Sequence, residues 1–228
     1  IVEYTDPNIL KEFHIGHLPG NAIGESLSRV FEFQGAKVKR VCYQSDIGLN
    51  VAKAVYGMQQ MNWENLKLDD DKKIKELGCA YALGSNKYEN DETAKNENYE
   101  INKKIFEKND AEINKLYSIG KEISLEHFDK IYKKLDTKFD ELISESQVIS
   151  LGKKIVEKGL TGGIFEKGLP AQAGENAPII FKGEKYGLHT RVFINSEGLP
   201  TYEAKDLGLA ELKYSRYKYD KSVVVTAN

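Results

Sequence analysis

The first 46 residues predict a strand, a helix and a second strand, and this order constrains the fold more than any other feature of the sequence. IVEYT (1–5) is β-branched and aromatic, as buried strands are. Apolar residues recur at helical spacing over about 14–34, and Gly35 is the expected stop. KVKRVCYQSD (37–46) then predicts a strand that ends at Asp46. Two strands joined by one helix lie parallel with a right-handed crossover, so we predict an α/β fold with a parallel sheet.

The composition divides the chain into three parts. We expect 1–60 to form the first half of the sheet domain, 61–147 a mainly helical insertion, and 148–228 a strand-rich segment that returns to the sheet. Lys, Glu, Asp and Asn dominate the middle part, and their charge is expected on solvated helical faces. Helices are predicted there in LDDDKKIKELGCAYALG and YENDETAKNENYEINKKIFEKND, and a helix pair in AEINKLYSIGKEISLEHFDKIYKKLD.

The last part begins at about Val148, where the pattern predicts short strands. IFEKG, PIIFKGEKYG and TRVFINSEGLPTY are hairpin-like pieces separated by glycine. YEAKDLGLAELKYSRY predicts a helix, and DKSVVVTAN predicts a further strand of the sheet. Because the chain begins at Ile1 inside one strand and ends inside another, we expect it to be a piece of a longer protein.

The composition also limits the class of protein. Lys plus Arg number 33 against 35 for Asp plus Glu, so any nucleic-acid contact needs a local basic patch. No apolar run is long enough to cross a bilayer and no signal peptide is present, so we expect no membrane contact. Cys42 and Cys79 form neither a CxxC nor a disulfide pattern, which favours a reducing, cytoplasmic location.

The stretch FHIGH (13–17) places two of the four histidines at the junction of the first strand and helix. A helix that starts there presents unpaired N–H groups and a partial positive charge, which suit a phosphate. His14 and His17 lie about one turn apart, so both imidazoles can donate to phosphate oxygens, and Gly16 leaves bare backbone for a base or sugar. Neither GxGxxG nor GxxxxGK[ST] is present. The turn therefore predicts a triphosphate site.

An HxxH pair also occurs as a surface feature or as half of a metal site. No HExxH and no nearby cysteine supports zinc, so no metal site is predicted. The position of the pair favours a nucleotide, because open α/β sheets bind ligands where strands give way to helices. His127 and His189 have no partner pattern and are expected to be structural or surface residues.

Three blocks of sequence resemble one family. VEYTDPNILKEFHIGHLP, followed by SDIG, resembles the start of the catalytic domain of arginyl-tRNA synthetases, whose pattern is roughly VEYSSPNxxKPxHxGHLR and then GDWG. FDKIYKKLDTKFDELISES is similar to the family's FxxxYxxLxVxFDxxxxES, and SEGLPTYEAKDLGLAELKYSRY to its SDGxPTYxTRDIAxAxYR. The resemblance spans nearly the whole chain. Asp6, Glu12, Pro19 and Ile47 depart from it, standing where the family has Ser, Pro, Arg and Trp.

The resemblance implies the Rossmann-like parallel sheet of class I synthetases (HUP type) with a mostly helical insertion. It also implies ATP-dependent activation of L-arginine to arginyl-adenylate and transfer to tRNA(Arg). Mg²⁺ would accompany ATP, with no structural metal held by the protein. The KMSKS-type loop of the family would lie beyond Asn228, so the isolated chain is expected to be inactive.

The resemblance also assigns nucleotide chemistry to two places in the sequence. Catalytic roles fall to His14, His17 and Lys11, the last because some family members carry a lysine just before HxGH. The residues expected to bind ATP lie in the HxGH turn and at the end of the second strand: His14, Gly16, His17, Asp46 and Gly48.

A bound arginine would need carboxylates in the plane of its guanidinium. Asp206, with Tyr202 one turn earlier on the same helical face, and Glu3 on the first strand are candidates. The expected arginine-binding residues, two of them by resemblance alone, are Glu3, Asn8, His14, Tyr202 and Asp206.

Plainer readings of the same residues stay open. Tyr202 and Asp206 also fit an ordinary helix face, and Glu3 also fits a pair with a core lysine. Asn8 suits a turn after proline, and Lys11 suits a solvated loop.

Two other functions share part of the pattern. A nucleotidyltransferase acting on a small phosphorylated metabolite has the HxGH turn and a Rossmann-like sheet, but needs neither the long helical insertion nor PTYxxxD. A non-catalytic ATP- or RNA-binding relative is the third possibility.

Overall fold

The computed structural model describes residues 1–66, 69–170 and 176–226. They form two compact units, one built from Ile1–Ser144 with the residues from Lys221 onward, the other from Glu145–Asp220. Within the described ranges, no helix is long and apolar enough to cross a membrane. The elements, numbered along the chain, are β1 (Val2–Glu3), α1 (His17–Phe33), β2 (Arg40–Gln44), α2 (Leu49–Gln60), α3 (Asp70–Asn90), α4 (Glu92–Glu107), α5 (Ala111–Lys134), β3 (Glu141–Ser144), α6 (Glu145–Thr161), β4 (Glu166–Lys167), β5 (Ile179–Phe181), β6 (Arg191–Ile194), α7 (Tyr202–Tyr217) and β7 (Val223–Val224).

The first unit is built on a parallel sheet with the strand order β3-β2-β1-β7. Val2 pairs with Arg40 on one side and with Val223 on the other, both in parallel register. The predicted strand–helix–strand unit and parallel sheet are confirmed, and the final strand does return to the sheet. All four strands therefore end at the same edge, where the loops after β1 and β2 lie.

Helix α1 begins at His17, three residues after the predicted start. A tight turn precedes it, in which the N–H of His17 donates to the carbonyl of His14 at 2.9 Å. The helix ends as predicted before Gly35, whose φ is +87°. The N–H of Ala36 donates to the carbonyl of Phe31 at 3.0 Å, which satisfies an end carbonyl in the manner of a Schellman motif.

A buried tyrosine fixes α1 to the first strand. Tyr4 is fully buried, and its hydroxyl donates to Oε2 of Glu25 at 2.6 Å. Gly24 makes this contact possible, since a Cβ there would lie 2.1 Å from Cγ of the tyrosine ring. The ring centroid of Phe139 lies 4.8 Å from that of Tyr4. These contacts fix the position of α1 relative to β1.

Helices α2 and α3 touch through their backbones. A Cβ on Gly57 would lie 1.8 Å from the carbonyl oxygen of Ala80, and one on Gly84 would lie 1.9 Å from that of Lys53. Close approach of this kind needs glycine at the crossing, because any side chain would push the helices apart.

The middle part is helical, but its divisions differ from the prediction. The helix predicted over 88–110 is interrupted at Asp91. The side chain of Asp91 accepts from the N–H groups of Thr93 and Ala94 and so caps α4. The predicted helix pair in 111–136 is wrong, because α5 runs unbroken to Lys134. Gly120 interrupts the apolar pattern of α5 because the side chain of Leu10 occupies the space beside it. A Cβ on Gly120 would lie 2.8 Å from Cγ of Leu10.

The second unit combines α6 and α7 with an antiparallel sheet of order β4-β5-β6. The hairpin-like pieces and the helix α7 are confirmed, but the prediction of strands from Val148 is wrong for the stretch that forms α6. The buried residues of α6 recur at helical spacing: Glu145, Val148, Gly152, Val156 and Gly159. A Cβ on Gly152 would lie 2.1 Å from the carbonyl of Ala204, so glycine here marks helix contact.

Replacing Gly57 by alanine is expected to lower the free energy of unfolding by about 1–3 kcal/mol, since the methyl group would force α2 away from α3. Urea unfolding followed by circular dichroism measures this. Gly20→Ala in α1 is the control, because its nearest neighbour would be Thr5 N at 3.9 Å. Alanine is favoured over glycine inside helices by about 0.5–1 kcal/mol, so the control should not lose stability. Two variants of equal stability would contradict the close contact.

Candidate functional site

The loop that follows β1 runs on beside β2. The N–H of Ile9 donates to the carbonyl of Ser45 at 3.0 Å, and the N–H of Ser45 donates to that of Pro7 at 3.3 Å. Asn8 consequently forms a parallel bridge with Ser45. The structure thus brings Asn8, a predicted arginine-binding residue, next to the segment that carries Asp46 and Gly48. This edge is where ligands bind in open α/β sheets.

Three residues of this loop adopt left-handed backbone conformations that L-residues rarely take: Thr5 (φ 79°), Asp6 (φ 42°) and Leu10 (φ 57°). Each is held by a hydrogen bond to another element. Asp6 Oδ1 accepts from the N–H of Tyr43 at 2.7 Å, and the N–H of Leu10 donates to Oγ of Ser124 at 2.9 Å. Thr5 Oγ1 accepts from Asn21 at 3.0 Å. Strain held in this way is typical of functional loops.

The two histidines of the turn lie against each other. The ring centroids of His14 and His17 are 3.8 Å apart and the ring planes differ by 24°. Nδ1 of His14 accepts from the N–H of Gly16 at 3.1 Å, and Nδ1 of His17 accepts from the N–H of His14 at 3.3 Å. An imidazole whose Nδ1 accepts carries its proton on Nε2. Each ring therefore carries its proton on Nε2, which is left to donate to a ligand.

Glycine is needed at position 16 for a steric reason that the sequence did not reveal. A Cβ at this position would lie 2.9 Å from both Cε1 and Nδ1 of His14. The glycine therefore allows the ring of His14 to fold back over the turn and stack on His17.

His17 is neutral at physiological pH. Burial lowers its pKa to about 4, from an ordinary value near 6.5, and the nearby His14 and Lys11 lower it further in the same direction. A neutral imidazole donates a hydrogen bond without a change of charge.

Lys11 lies with Nζ 4.6 Å from the ring centre of Tyr81 on α3. This cation–π contact directs the side chain toward the helical part, although its charge still reaches His17. The structure thus places Lys11 beside the turn, and its catalytic role stays a prediction.

Asp46 is fully buried and holds α5 to the end of β2. Its Oδ2 accepts from Nζ of Lys121 at 2.7 Å and from the hydroxyl of Tyr117 at 3.0 Å. Sequence reasoning missed both partners, and their signal is a spacing of four on one helix face. Gly48 is the N-cap of α2, with φ 116° and ψ −179°, a conformation that essentially only glycine adopts. The predicted contacts of Asp46 and Gly48 with ATP stay predictions.

The remaining predicted residues are divided between the units. Glu3, 5% exposed, belongs to β1 in the first unit. Tyr202 and Asp206 belong to α7 in the second unit, four residues apart as predicted, with Tyr202 exposed and Asp206 half-buried. Sequence reasoning missed Lys205 between them, whose Nζ lies 2.6 Å from Oε2 of Glu145 in a buried ion pair. This pair fixes the start of α7 to the start of α6.

No group of three or more His, Cys, Asp or Glu residues in the described ranges is arranged to hold a metal ion.

The family model described as tRNA synthetases class I (R), catalytic domain, matches residues 1–228. The chain belongs to this family. The arginine–tRNA ligase of Clostridium perfringens is 31% identical over 225 residues, which cover 99% of the chain and 38% of that relative. The chain thus spans less than half the length of the curated relatives it matches.

Solved structures of synthetases share the fold. Arginyl-tRNA synthetase from Plasmodium falciparum superposes with a TM-score of 0.71 at 22% identity, covering 98% of this chain and 36% of that one. The Thermus thermophilus arginyl-tRNA synthetase gives 0.65 at 22% identity, covering 93% and 35%. The predicted class I synthetase fold is confirmed.

The four departures from the synthetase pattern have local physical explanations. Asp6 accepts from the strand N–H of Tyr43, as described above. Glu12 packs against α3, 3.3 Å from where a Cβ on Gly78 would lie. Pro19 is the third residue of α1, where a missing N–H costs little, and Ile47 is buried in the core. These side chains are compatible with the synthetase fold.

Stability is expected to depend on pH through His17. Between about pH 6.5 and pH 4 the unfolded chain binds a proton at this residue and the folded chain does not, so stability falls as the pH falls. The unmodified chain should therefore lose more unfolding free energy from about pH 7 to pH 5 than a His17→Gln variant. Urea unfolding at each pH measures this, and an NMR titration of the ring with a midpoint near 6.5 would contradict it.

Proposed function

We propose that the chain is the catalytic core of an arginine–tRNA ligase, which activates L-arginine with ATP and transfers it to tRNA(Arg). The observation that carries this proposal is the stacked histidine pair in the turn after β1, whose Nδ1 atoms accept from the backbone and so leave Nε2–H groups to donate. Membership of the class I synthetase family supports the reaction, since curated relatives are named arginine–tRNA ligases.

In the activation step, a carboxylate oxygen of arginine attacks the α-phosphorus of MgATP. The new O–P bond forms as the bond to the bridging oxygen breaks, and pyrophosphate leaves with its electron pair. No proton has to be removed from the nucleophile, so no general base is needed. Catalysis in this reaction is positioning and stabilisation of charge on the phosphate oxygens.

The histidines of the turn suit this task. His17 and His14 donate Nε2–H bonds to phosphate oxygens that gain negative charge, in the manner of an oxyanion hole. Because the pKa of His17 lies near 4, the ring stays a donor of constant charge throughout the physiological range. The loop from Thr5 to Leu10 supports this orientation of the histidines, because hydrogen bonds to other elements fix its conformation without a substrate.

Arginine recognition is assigned to the carboxylates predicted for it. Asp206 and Tyr202 would hold the guanidinium from α7, and Glu3, a carboxylate buried in β1, is the second acidic candidate. Asn8 and His14 would contact the amino and carboxylate groups of the substrate. Lys11, Asp46 and Gly48 complete the proposed nucleotide site.

The whole reaction is proposed to need more than these residues. The chain covers about 38% of its curated relatives, and we assign the missing KMSKS-type loop and the tRNA-binding domains to the remainder. Activity is therefore tested in the full-length protein and binding in the chain itself.

Replacing His17 by alanine in the full-length protein is expected to lower kcat for arginylation about 10²–10³-fold, since one transition-state donor is lost. Aminoacylation of tRNA(Arg) with labelled arginine measures this. His189→Ala, at an exposed position of the second unit, is the matched control and should retain full activity. Unchanged arginylation by the His17 variant would show that the turn is not catalytic.

Asp206→Asn is expected to weaken arginine binding about tenfold or more, because a charge-assisted contact contributes about 1.5–3 kcal/mol. Calorimetry with arginine and lysine measures the preference. The control is Glu211→Gln, an exposed carboxylate on the same helix, which should bind arginine as the unmodified chain does. An equal response to arginine and lysine in the unmodified chain would overturn the assignment of the amino acid.

A further inference from the structure

A hollow of about 290 Å³ lies between α3 and α5 in the first unit. Its apolar part consists of Ile123, which is buried, and of Ile74 and Ile131, which are half-buried. Charged side chains stand around these isoleucines. We call this feature the α3–α5 hollow.

Positive charge dominates the α3–α5 hollow. Lys73 and Lys75 of α3 and Lys130 and Lys134 of α5 line it, and Glu126 is the one carboxylate among its described lining residues. Lys75, Lys130 and Lys134 are exposed and form no ion pair with any residue that the structure describes. The hollow is thus a local basic patch on a chain whose net charge is −2.

Neighbouring lysines on the same two helices are neutralised. Lys133 pairs with Asp129 at 2.5 Å, and Lys72 pairs with Asp69 at 2.9 Å. The three lysines of α3 and α5 that form no ion pair with a described residue, Lys75, Lys130 and Lys134, therefore all line the hollow.

The helix dipole does not account for the arrangement. Lys134 is the last residue of α5, where the partial negative charge of a helix end favours a cation. Lys75 lies in the second turn of α3, where the dipole gives no such preference. The two helices nevertheless direct lysines to the same place.

A histidine adds a hydrogen-bonding group. His127 lines the hollow one turn before Lys130 on α5 and is half-buried. Burial is the main cause of its lowered pKa, the charges of Lys130 and Lys134 act in the same direction, and that of Glu12 opposes them. A neutral imidazole there can donate to a phosphate oxygen without adding charge.

We propose that the α3–α5 hollow binds backbone phosphates of the tRNA. This inference rests on the proposed ligase function, which supplies an RNA partner. Lysine acts as a point charge toward phosphate, and the exposed ammonium groups on two helices suit successive phosphates of a chain. Lysine stems can cover apolar surface while their ammonium groups stay in solvent, and the isoleucines of the hollow offer such surface.

The test is a charge reversal on α5, Lys130→Glu with Lys134→Glu, in the full chain. Binding of a fluorescein-labelled tRNA(Arg) transcript is followed by anisotropy at several salt concentrations. We expect the Kd at about 0.1 M salt to rise tenfold or more. The slope of log Kd against log salt should fall by about 1.5, since each lost phosphate contact contributes about 0.7–0.9. Lys75→Glu, on the facing helix, should lower the slope by about half as much.

The matched control is Lys37→Glu with Lys103→Glu, which reverses two exposed lysines of the same unit outside the hollow. It should change the Kd less than about twofold. Equal weakening by both double variants would show that only net charge matters and would overturn the inference. So would an unchanged tRNA affinity accompanied by lost binding of inorganic phosphate, which would assign the hollow to a free anion.

Nucleotide binding separates this inference from the proposed function. The double variant on α5 should bind ATP as the unmodified chain does, while His17→Ala should bind it more weakly. If the chain binds ATP and arginine but the double variant on α5 leaves tRNA binding unchanged, the inference about the α3–α5 hollow is wrong and the proposed function is unaffected. If the double variant weakens tRNA binding but the chain binds neither ATP nor arginine, the proposed ligase function is wrong instead.

Discussion

The loop after β1 is the constraint on which the histidine turn (13–17) depends. Its backbone adopts left-handed conformations at Thr5, Asp6 and Leu10, none of which is glycine, and each such residue costs of order 1–3 kcal/mol. Bonds from three different elements, β2, α1 and α5, compensate that cost. The direction in which the chain leaves the sheet is therefore decided by tertiary contacts. The histidine turn inherits its orientation from them.

Two ion pairs with buried carboxylates position the elements that carry the predicted site residues. Asp46 and Lys121 form an ion pair at the end of β2, and Glu145 and Lys205 form one at the start of α6. Breaking such a pair costs more than forming it contributes, because the remaining charge stays buried. These pairs consequently select one arrangement of helices more than they add to stability. Each pair has a residue inside a block of sequence that resembles the synthetase family, so those blocks include residues that hold helices in place.

The sequence predicted the parts of the fold that local pattern controls. IVEYT, the helix before Gly35 and KVKRVCYQSD were found because period and stop signals agree with the final packing. α6 was missed since its glycines and valines, which are poor helix formers in isolation, form a helix by packing closely against α7. The break predicted within α5 was wrong for a related reason, as Gly120 accommodates Leu10 from a distant loop. Stacking of His14 on His17 and burial of Asp46 likewise depend on contacts that no local pattern contains.

The glycine crossing of α2 and α3 has a mechanical consequence. α2 starts at the strand end that carries Gly48, and α3 carries the ring of Tyr81 on which Lys11 rests. Because the backbones touch at Gly57 and Gly84, neither helix can shift along its axis without displacing the other. A ligand that displaces α3 through the Lys11–Tyr81 contact would therefore also displace α2 and the strand end at which it starts.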